Sequence, residues 1–446
     1  MTVFGILDRD RTVAPPTYPR WLVPPAALAI HLSIGQAYAF SVFNLPLSRL
    51  IGGTTSAARD WALSTVGWVF SLAIVFLGLS AAVFGRWVER VGPRKAMFAS
   101  AVCFSGGFFL SAVGVATHRF MLLLLGYGVL GGIGLGLGYI SPVSTLIRWF
   151  PDRPGMATGL AIMGFGGGAM IASPLATSLM GRFAGAAPQG VAPTMLVMGS
   201  VYFLFMMFGV FAVRVPPAGW TPSGGSRAAP ALRDEGLTAD EAVRTSQFWL
   251  LWAVLCLNVT AGIGVLGQAS PMIQEMFPGT VTAASAAGFV GLLSLANMAG
   301  RFAWSSLSDI IGRRATYATF FLLGAVLYSL IPTTGHARNT VLFVAGYVVI
   351  MSMYGGGFAT IPAYLRDLFG TRQVGAIHGR VLTAWSVAGV LGPVLVNYIR
   401  EFQIRRGVPK ADAYTVTMYI MAALLVAGFI CNWRVKGVQR RPAPTI

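Results

Sequence analysis

Gly85-Arg-Trp-Val-Glu89-Arg90-Val-Gly92-Pro-Arg94-Lys95 is a charged interruption between two long apolar runs, and Ser305-Ser-Leu-Ser-Asp309-Ile-Ile-Gly312-Arg313-Arg314 interrupts the chain in the same way further on. Glu89 and Asp309, Gly92 and Gly312, and Arg94 and Arg314 are each 220 residues apart. Pro142 with Pro362 and Gly159 with Gly379 keep the same offset. Five matches at one spacing, on equivalent loops and helices, read as two parallel repeats.

Outward from these segments the chain is mostly apolar. A spanning helix needs about 20 such residues, and runs of that kind predict helices at 21–46, 62–84, 95–117, 119–147, 156–181 and 193–213, then at 246–272, 281–307, 315–333, 339–365, 375–399 and 413–433. The fold class expected is an all-α membrane protein with twelve transmembrane helices in two six-helix bundles. The bundles are 21–213 and 246–433, with short tails at 1–20 and 434–446. Residues 214–245, rich in Pro, Gly, Ser and acidic side chains, read as the linker between them. Parallel halves joined by a linker are a transporter plan, with the substrate held near the bilayer midplane between them.

Composition excludes the soluble alternatives. Of 446 residues, 55% are hydrophobic and 10% charged, with a mean hydropathy of +0.70, against about 25% charged in ordinary soluble chains. The formal charge of +18 does not indicate nucleic acid, because the basic residues cluster in short loops between apolar runs. With both termini cytoplasmic, 22 Lys and Arg fall inside, 9 outside and one within a helix. That bias sets the orientation, against one outer loop that carries Arg400, Arg405, Arg406 and Lys410. Cys103, Cys256 and Cys431 lie in apolar runs without paired spacing, so neither a disulfide framework nor a metal site is expected. The polar segment before Trp21 and the missing small-residue cleavage pattern read as an uncleaved first helix.

The Gly85–Lys95 segment and its second copy resemble the signature loop between helices 2 and 3 of the major facilitator superfamily. An acid at a helix end beside basic residues and a helix terminus suits a latch on the cytoplasmic side, built here from Gly85, Glu89, Arg90, Gly92, Arg94, Asp309, Gly312, Arg313 and Arg314. Three further stretches are similar to the oxalate:formate antiporter family, a relative of the monocarboxylate transporters. They are Gly35-Gln-Ala-Tyr38-Ala-Phe-Ser-Val-Phe-Asn-Leu-Pro46, Arg148-Trp-Phe-Pro-Asp-Arg-Pro-Gly-Met-Ala-Thr-Gly159 and Thr245-Ser-Gln-Phe-Trp-Leu-Leu-Trp252. The resemblance runs from helix 1 through helix 11. It implies carriage of small organic anions across the cell inner membrane, by exchange or with protons. The protein is expected to work as a monomer, without a cofactor.

One charge stands within the predicted helices. Arg301 lies eight residues before Asp309, about 12 Å deeper along helix 8. An arginine there costs at least ~2.5–3.5 kcal/mol on insertion scales. The side chain one turn back is the neutral Asn297, and no helix core supplies a carboxylate. An unpaired planar cation facing a cavity calls for a carboxylate ligand. Snorkelling, or bonding to backbone carbonyls, is the structural alternative. In the resemblance, Arg301 matches the carboxylate-binding arginine of helix 8, and Tyr38 and Tyr354 match cavity aromatics. Trp385 stands where the oxalate-specific member carries a second cation, which favours a monocarboxylate over oxalate. Asn258 and Gln36 are further wall candidates, and His31, midway along helix 1, is a candidate proton carrier.

The glycine run Gly131-Gly-Ile-Gly-Leu-Gly-Leu-Gly138 has no strand before it, so it reads as helix packing rather than a dinucleotide loop. Two other functions stay open: a proton-coupled monocarboxylate symporter and a membrane sensor that binds carboxylates without moving them. An enzyme is not expected, since no carboxylate pair or nucleophile–base spacing appears.

Overall fold

The computed structural model of the chain describes residues 3–53, 55–185, 187–222, 236–266 and 268–437. The middle of the predicted linker, 223–235, and the end of the predicted C-terminal tail, 438–446, lie outside the described residues. Every long element is a helix. The first six are α1 (Arg20–Ala39 with Ser41–Leu47), α2 (Leu63–Val91), α3 (Pro93–Ala116), α4 (Phe120–Trp149), α5 (Pro154–Phe183) and α6 (Val191–Ala212). The second six are α7 (Ser246–Leu266), α8 (Ala283–Ile311), α9 (Arg313–His336), α10 (Thr340–Phe369), α11 (Val374–Arg405) and α12 (Thr415–Arg434). Ten of these are long and apolar enough to cross a bilayer as single helices, and α1 qualifies as a bent pair. The twelfth helix, α8, has 29 residues and carries Asn297 and Arg301 near its middle.

Helix ends follow local chemistry more than hydropathy. α2, α8 and α10 run past their predicted ends, stopping where Gly92, Gly312 and Gly370 take φ of 83°, 89° and 87°. That left-handed conformation suits glycine and ends a helix. α1 bends by 45° where a 3-10 stretch, Gly35–Ala39, follows its first segment. Gly35 is required there, because a Cβ would lie 2.4 Å from the Phe165 carbonyl oxygen of α5.

The two halves repeat one packing scheme: α1 on α5, α2 on α4 and α3 on α6, then α7 on α11, α8 on α10 and α9 on α12. Between halves, α5 packs on α8 and α2 on α11. Small residues bring those backbones together. A Cβ at Gly159 would meet Ser305 Oγ at 2.0 Å, and one at Gly379 would meet the Ala81 carbonyl at 2.1 Å.

The acids of the two signature segments join the bundles symmetrically at the end that carries the chain termini. Glu89 accepts the N–H of Gly375 at 3.0 Å, at the start of α11. Asp309 accepts those of Gly155 and Met156 at 2.8 Å each, at the start of α5. Gly155 and Gly375 are again 220 residues apart. Each carboxylate thus meets the free N–H groups and positive dipole end of a helix in the opposite half. Arg148 pairs with Glu89 at 2.8 Å and Arg313 with Asp309 at 2.5 Å. Thr158 donates to the Ala359 carbonyl at 2.6 Å and Arg366 to that of Pro151 at 3.1 Å, extending the seam.

Three residues expected in this latch sit elsewhere. Arg90 is exposed. Arg94 is buried and donates within its own half, to Val210 at 3.1 Å and Val213 at 3.4 Å, and to Ile6 of the tail at 2.8 Å. Arg314 donates to the Trp433 carbonyl. Val213 and Trp433 share the 220 offset, so the two arginines close the carbonyl end of the last helix of each half. A charge cluster in sequence shows that carboxylate and guanidinium are near each other, not that they pair.

The described parts of the linker and the N-terminal tail pack beneath the bundles. A short linker helix, Ala239–Val243, starts with a Thr238–Glu241 capping box. Leu237 N–H bonds the Phe369 carbonyl at 2.9 Å and Ala239 N–H bonds Gln373 Oε1 at 2.9 Å, tying it to the second half. Asp240 then takes Arg380 of α11 at 2.7 Å and also Arg86 of α2. Those guanidiniums, Arg380 first, hold the Asp240 carboxyl below the usual carboxylate range. In the tail, Asp8 pairs with Lys95 and Arg20 with Asp152, each at 2.6 Å.

Asp309→Asn keeps the size of the latch acid and removes its charge. A charge at a helix N-terminus contributes about 1–2 kcal/mol when partly buried, about a five- to thirtyfold change in population. With the three native cysteines replaced, a cysteine at Thr158 in the seam should be alkylated about five- to thirtyfold faster in that variant. An unchanged rate would mean that the acid does not hold the bundles together.

Candidate functional site

α8 places Asn297 and Arg301 one turn apart on the face turned toward α5 and α10. Arg301 is fully buried. Its Nε donates to Asn297 Oδ1 at 3.0 Å, and its Nη1 makes a long 3.5 Å contact to the Ile162 carbonyl of α5. Nη2 makes no hydrogen bond among the described residues. The guanidinium carbon lies 5.6 Å from the ring centre of Phe165 on α5 and 5.2 Å from that of Phe358 on α10. Aromatic faces offset part of the desolvation of a cation, by about 0.5–2 kcal/mol each, where the full penalty is several. The cation is therefore held by rings and two oxygens, with the Tyr38 and Tyr139 hydroxyls beside it.

The rings around it form a continuous cage. Trp385 of α11 packs on Phe358 at 4.4 Å, Phe165 at 5.4 Å and Tyr139 at 5.5 Å between centroids. Tyr38 of α1 meets Phe165 at 5.0 Å, and its hydroxyl lies 3.3 Å from that of Tyr354 on α10. These two phenols meet across the junction of the halves. Trp385, Tyr139, Phe165 and Phe358 are fully buried, and Tyr354 nearly so. Three polar atoms in the cage make no hydrogen bond among the described residues: Arg301 Nη2, Tyr139 Oη and Trp385 Nε1. Buried donors are normally satisfied. Arg301 Nη2 and Trp385 Nε1 can only donate, whereas the Tyr139 hydroxyl can donate or accept and lies close enough to the Arg301 side chain to interact with it, as does that of Tyr38.

Two imidazoles border the cage. His31 of α1 packs its ring 5.4 Å from Tyr139, with Nδ1 3.2 Å from the Ala27 carbonyl. His378 of α11 packs 5.8 Å from the same ring. Both are buried, and neither Nε2 has a hydrogen-bond partner among the described residues.

Of the predicted site residues, Arg301, Asn297, Tyr38, Tyr354 and Trp385 converge here, with His31 at the border. Asn258 and Gln36 do not. Asn258 lines a separate small cavity behind Tyr354, with Gly262, Tyr328 and Met353. Gln36 faces into the first bundle, where its Oε1 accepts from Tyr127 at 2.9 Å. Tyr139, Phe165, Phe358 and His378 were not anticipated. The repeat offered one signal, since Phe165 and Trp385 are 220 residues apart. Helical spacing offered two more: Phe358 lies one turn beyond Tyr354, and His378 two turns before Trp385.

Comparison with known proteins agrees with this architecture. The family model of the Major Facilitator Superfamily matches residues 26–393 and 280–445. The chain is 26% identical over 374 residues to the uncharacterized MFS-type transporter YhjX of Escherichia coli (strain K12), covering 83% of this chain and 86% of the relative. It is also 26% identical over 375 residues to the oxalate:formate antiporter of Oxalobacter formigenes, covering 84% and 83%. Among solved structures, FucP in its outward conformation superposes with a TM-score of 0.67 at 14% identity, over 94% of this chain and 100% of that one. That likeness speaks for the fold alone. The chain belongs to the Major Facilitator Superfamily and is a membrane transporter, not an enzyme.

Proposed function

We propose that this transporter exchanges small monocarboxylates, and that the carboxylate binds on Arg301. The observation that carries the reading is the Nη2 group of a fully buried guanidinium, which makes no hydrogen bond among the described residues, in a cage that also holds the Tyr139 hydroxyl and the unpartnered Trp385 Nε1. A carboxylate accepts from a guanidinium edge and a neighbouring hydroxyl with charge-assisted bonds. One cation balances one negative charge, so a monoanion leaves the closed cage neutral and a dianion does not. The rings already touch at 4.4–5.5 Å, which favours a small anion. The antiporter relative exchanges oxalate and formate by name, and both are small carboxylates.

Transport follows from the frame. The bundles 21–213 and 246–433 rock about the cage, the linker 214–245 and both tails facing the cytoplasm, as the count of 22 inner against 9 outer basic residues indicates. The latch acids close the cytoplasmic end in the conformation described above. A closed cage without an anion leaves Arg301 uncompensated in a low-dielectric interior, which is costly. Return of the carrier without cargo is therefore slow, and exchange dominates. A single chain contains the whole site, so the transporter works as a monomer in the cell inner membrane. His31 and His378, both buried beside the cage, favour proton-coupled symport as the second reading.

Two experiments test this. Formate, acetate, lactate and pyruvate should each be screened for thermal stabilisation of the purified protein, with Arg301→Ala in parallel. A hydrogen bond to a charged group contributes about 1.5–3 kcal/mol, so binding should weaken about 10- to 150-fold in the variant. Shifts that survive the mutation would remove Arg301 from the site. In the second, Trp385→Lys should raise the affinity for oxalate relative to formate by about tenfold or more, because it adds the charge a dianion needs. An unchanged ratio would show that charge count does not set the selectivity.

A further inference from the structure

Asn297, the neutral residue one turn before Arg301, spends its side chain on that cation: Oδ1 accepts from Nε at 3.0 Å, and both residues are buried. Gly355 of α10 presses on the same group. A Cβ there would lie 2.6 Å from Asn297 Oδ1 and 2.2 Å from its carbonyl oxygen. The amide is thus walled in and its oxygen turned toward the guanidinium. It orients the cation without neutralising it. The titratable groups that interact with Arg301 are Tyr38, Tyr139, Tyr354 and His31, with His378 next beyond His31, and none of these described residues is an acid. The next acid along α8 is Asp309, held by Gly155, Met156 and Arg313.

We propose that Asn297 is a positioning residue whose neutrality commits the carrier to exchange. This rests on the monocarboxylate reading of the Arg301 site. An amide fixes the Nε edge and leaves the Nη edge free, so the site closes without penalty only when an anion supplies the missing charge. A carboxylate at the same place would be isosteric and would give Arg301 an internal counter-ion. The carrier could then close and return without cargo. An incoming anion would displace that carboxylate from Arg301, and the displaced carboxyl would take up a proton to avoid two buried negative charges on one cation. Exchange would become net, proton-linked flux. One oxygen-for-nitrogen replacement at Asn297 separates the two modes.

The test uses the full-length purified chain in proteoliposomes preloaded with radiolabelled lactate, with labelled formate in parallel. Efflux is measured into buffer with and without the same unlabelled anion, at pH 8 and pH 6. In the wild type, efflux into anion-free buffer should be at least about tenfold slower than exchange. In Asn297→Asp the two rates should come within about twofold at pH 6, with net efflux faster at pH 6 than at pH 8. Asn297→Ala removes the orienting oxygen and adds no charge, so it should lose affinity while exchange still dominates. Should Asn297→Asp fail to assemble, Phe358→Glu brings a carboxyl to the same guanidinium from α10 and carries the same expectation.

A gain of net efflux in the acidic variant alone supports the proposal. An equal gain in Asn297→Ala, or an acidic variant that binds and exchanges like the wild type, overturns it. The two readings fail separately. If wild-type exchange is no faster than net efflux, or if Arg301→Ala transports normally, the exchange reading falls first. If wild-type exchange dominates and depends on Arg301 while the acidic variants gain nothing, only the role given to Asn297 falls.

Discussion

A guanidinium kept out of water, with no carboxylate beside it among the described residues, is the constraint on which the centre of this molecule depends. Each feature around Arg301 lowers the cost of that burial without cancelling the charge. Phe165 and Phe358 present ring faces, Asn297 presents a dipole, and Ile162 presents a carbonyl at the edge of bonding range. An acid in any of these positions would make a more stable protein and a poorer anion site. Stability is given up here for an unsatisfied charge, a trade seen at functional sites.

The frame is symmetric and the cage is not. The latch acids, the glycines that end α2 and α8, the helix starts they meet and the arginines that close α6 and α12 all obey the 220-residue offset. In the cage, Arg301 corresponds to Ala81, Asn297 to Leu77, Tyr38 to Asn258 and Tyr354 to Gly134. Only Phe165 and Trp385 keep aromatic character in both halves, and they meet edge to face across the junction. Two equal halves can rock about a shared axis while the charge sits on one side of it. Under the proposed reading, one small anion touching both halves would decide whether they close.

Much of this was legible in the sequence, for reasons that also mark where legibility stopped. Hydropathy found the spans because lipid imposes one length and one polarity. It missed the helix ends, which glycine conformation sets at Gly92, Gly312 and Gly370. Arg301 was visible because a charge in an apolar run has few neutral explanations. Tyr139 and Phe358 were not, because an aromatic in a membrane helix is equally suited to lipid, packing or a site, and only tertiary contact separates those uses. Arg94 and Arg314 show the opposite error. Their place beside an acid suggested pairing, whereas each satisfies the free carbonyls at the end of another helix. Asn258 and Gln36 failed for a related reason. They point into their own bundles, and helical periodicity does not say which apolar face is the junction.

The latch and the cage lie on the same helices, and this gives their coupling a physical route. α8 carries Asp309 at the latch and Arg301 in the cage, and α5 carries Gly155 at the latch and Ile162 and Phe165 in the cage. Between them, Gly159 and Ser305 leave no space for either helix to shift alone. The α2–α11 seam repeats the pattern from Glu89 and Gly375 to Ser386, which donates to the Ile74 carbonyl at 3.1 Å beside Trp385. Close-packed helices move as rigid units between discrete arrangements rather than bending continuously. If the proposed anion draws Arg301 away from the Ile162 carbonyl, it acts on the α5–α8 seam that ends at Asp309. On that reading, binding and latch release are two ends of one rigid contact, and no separate signal between them is required.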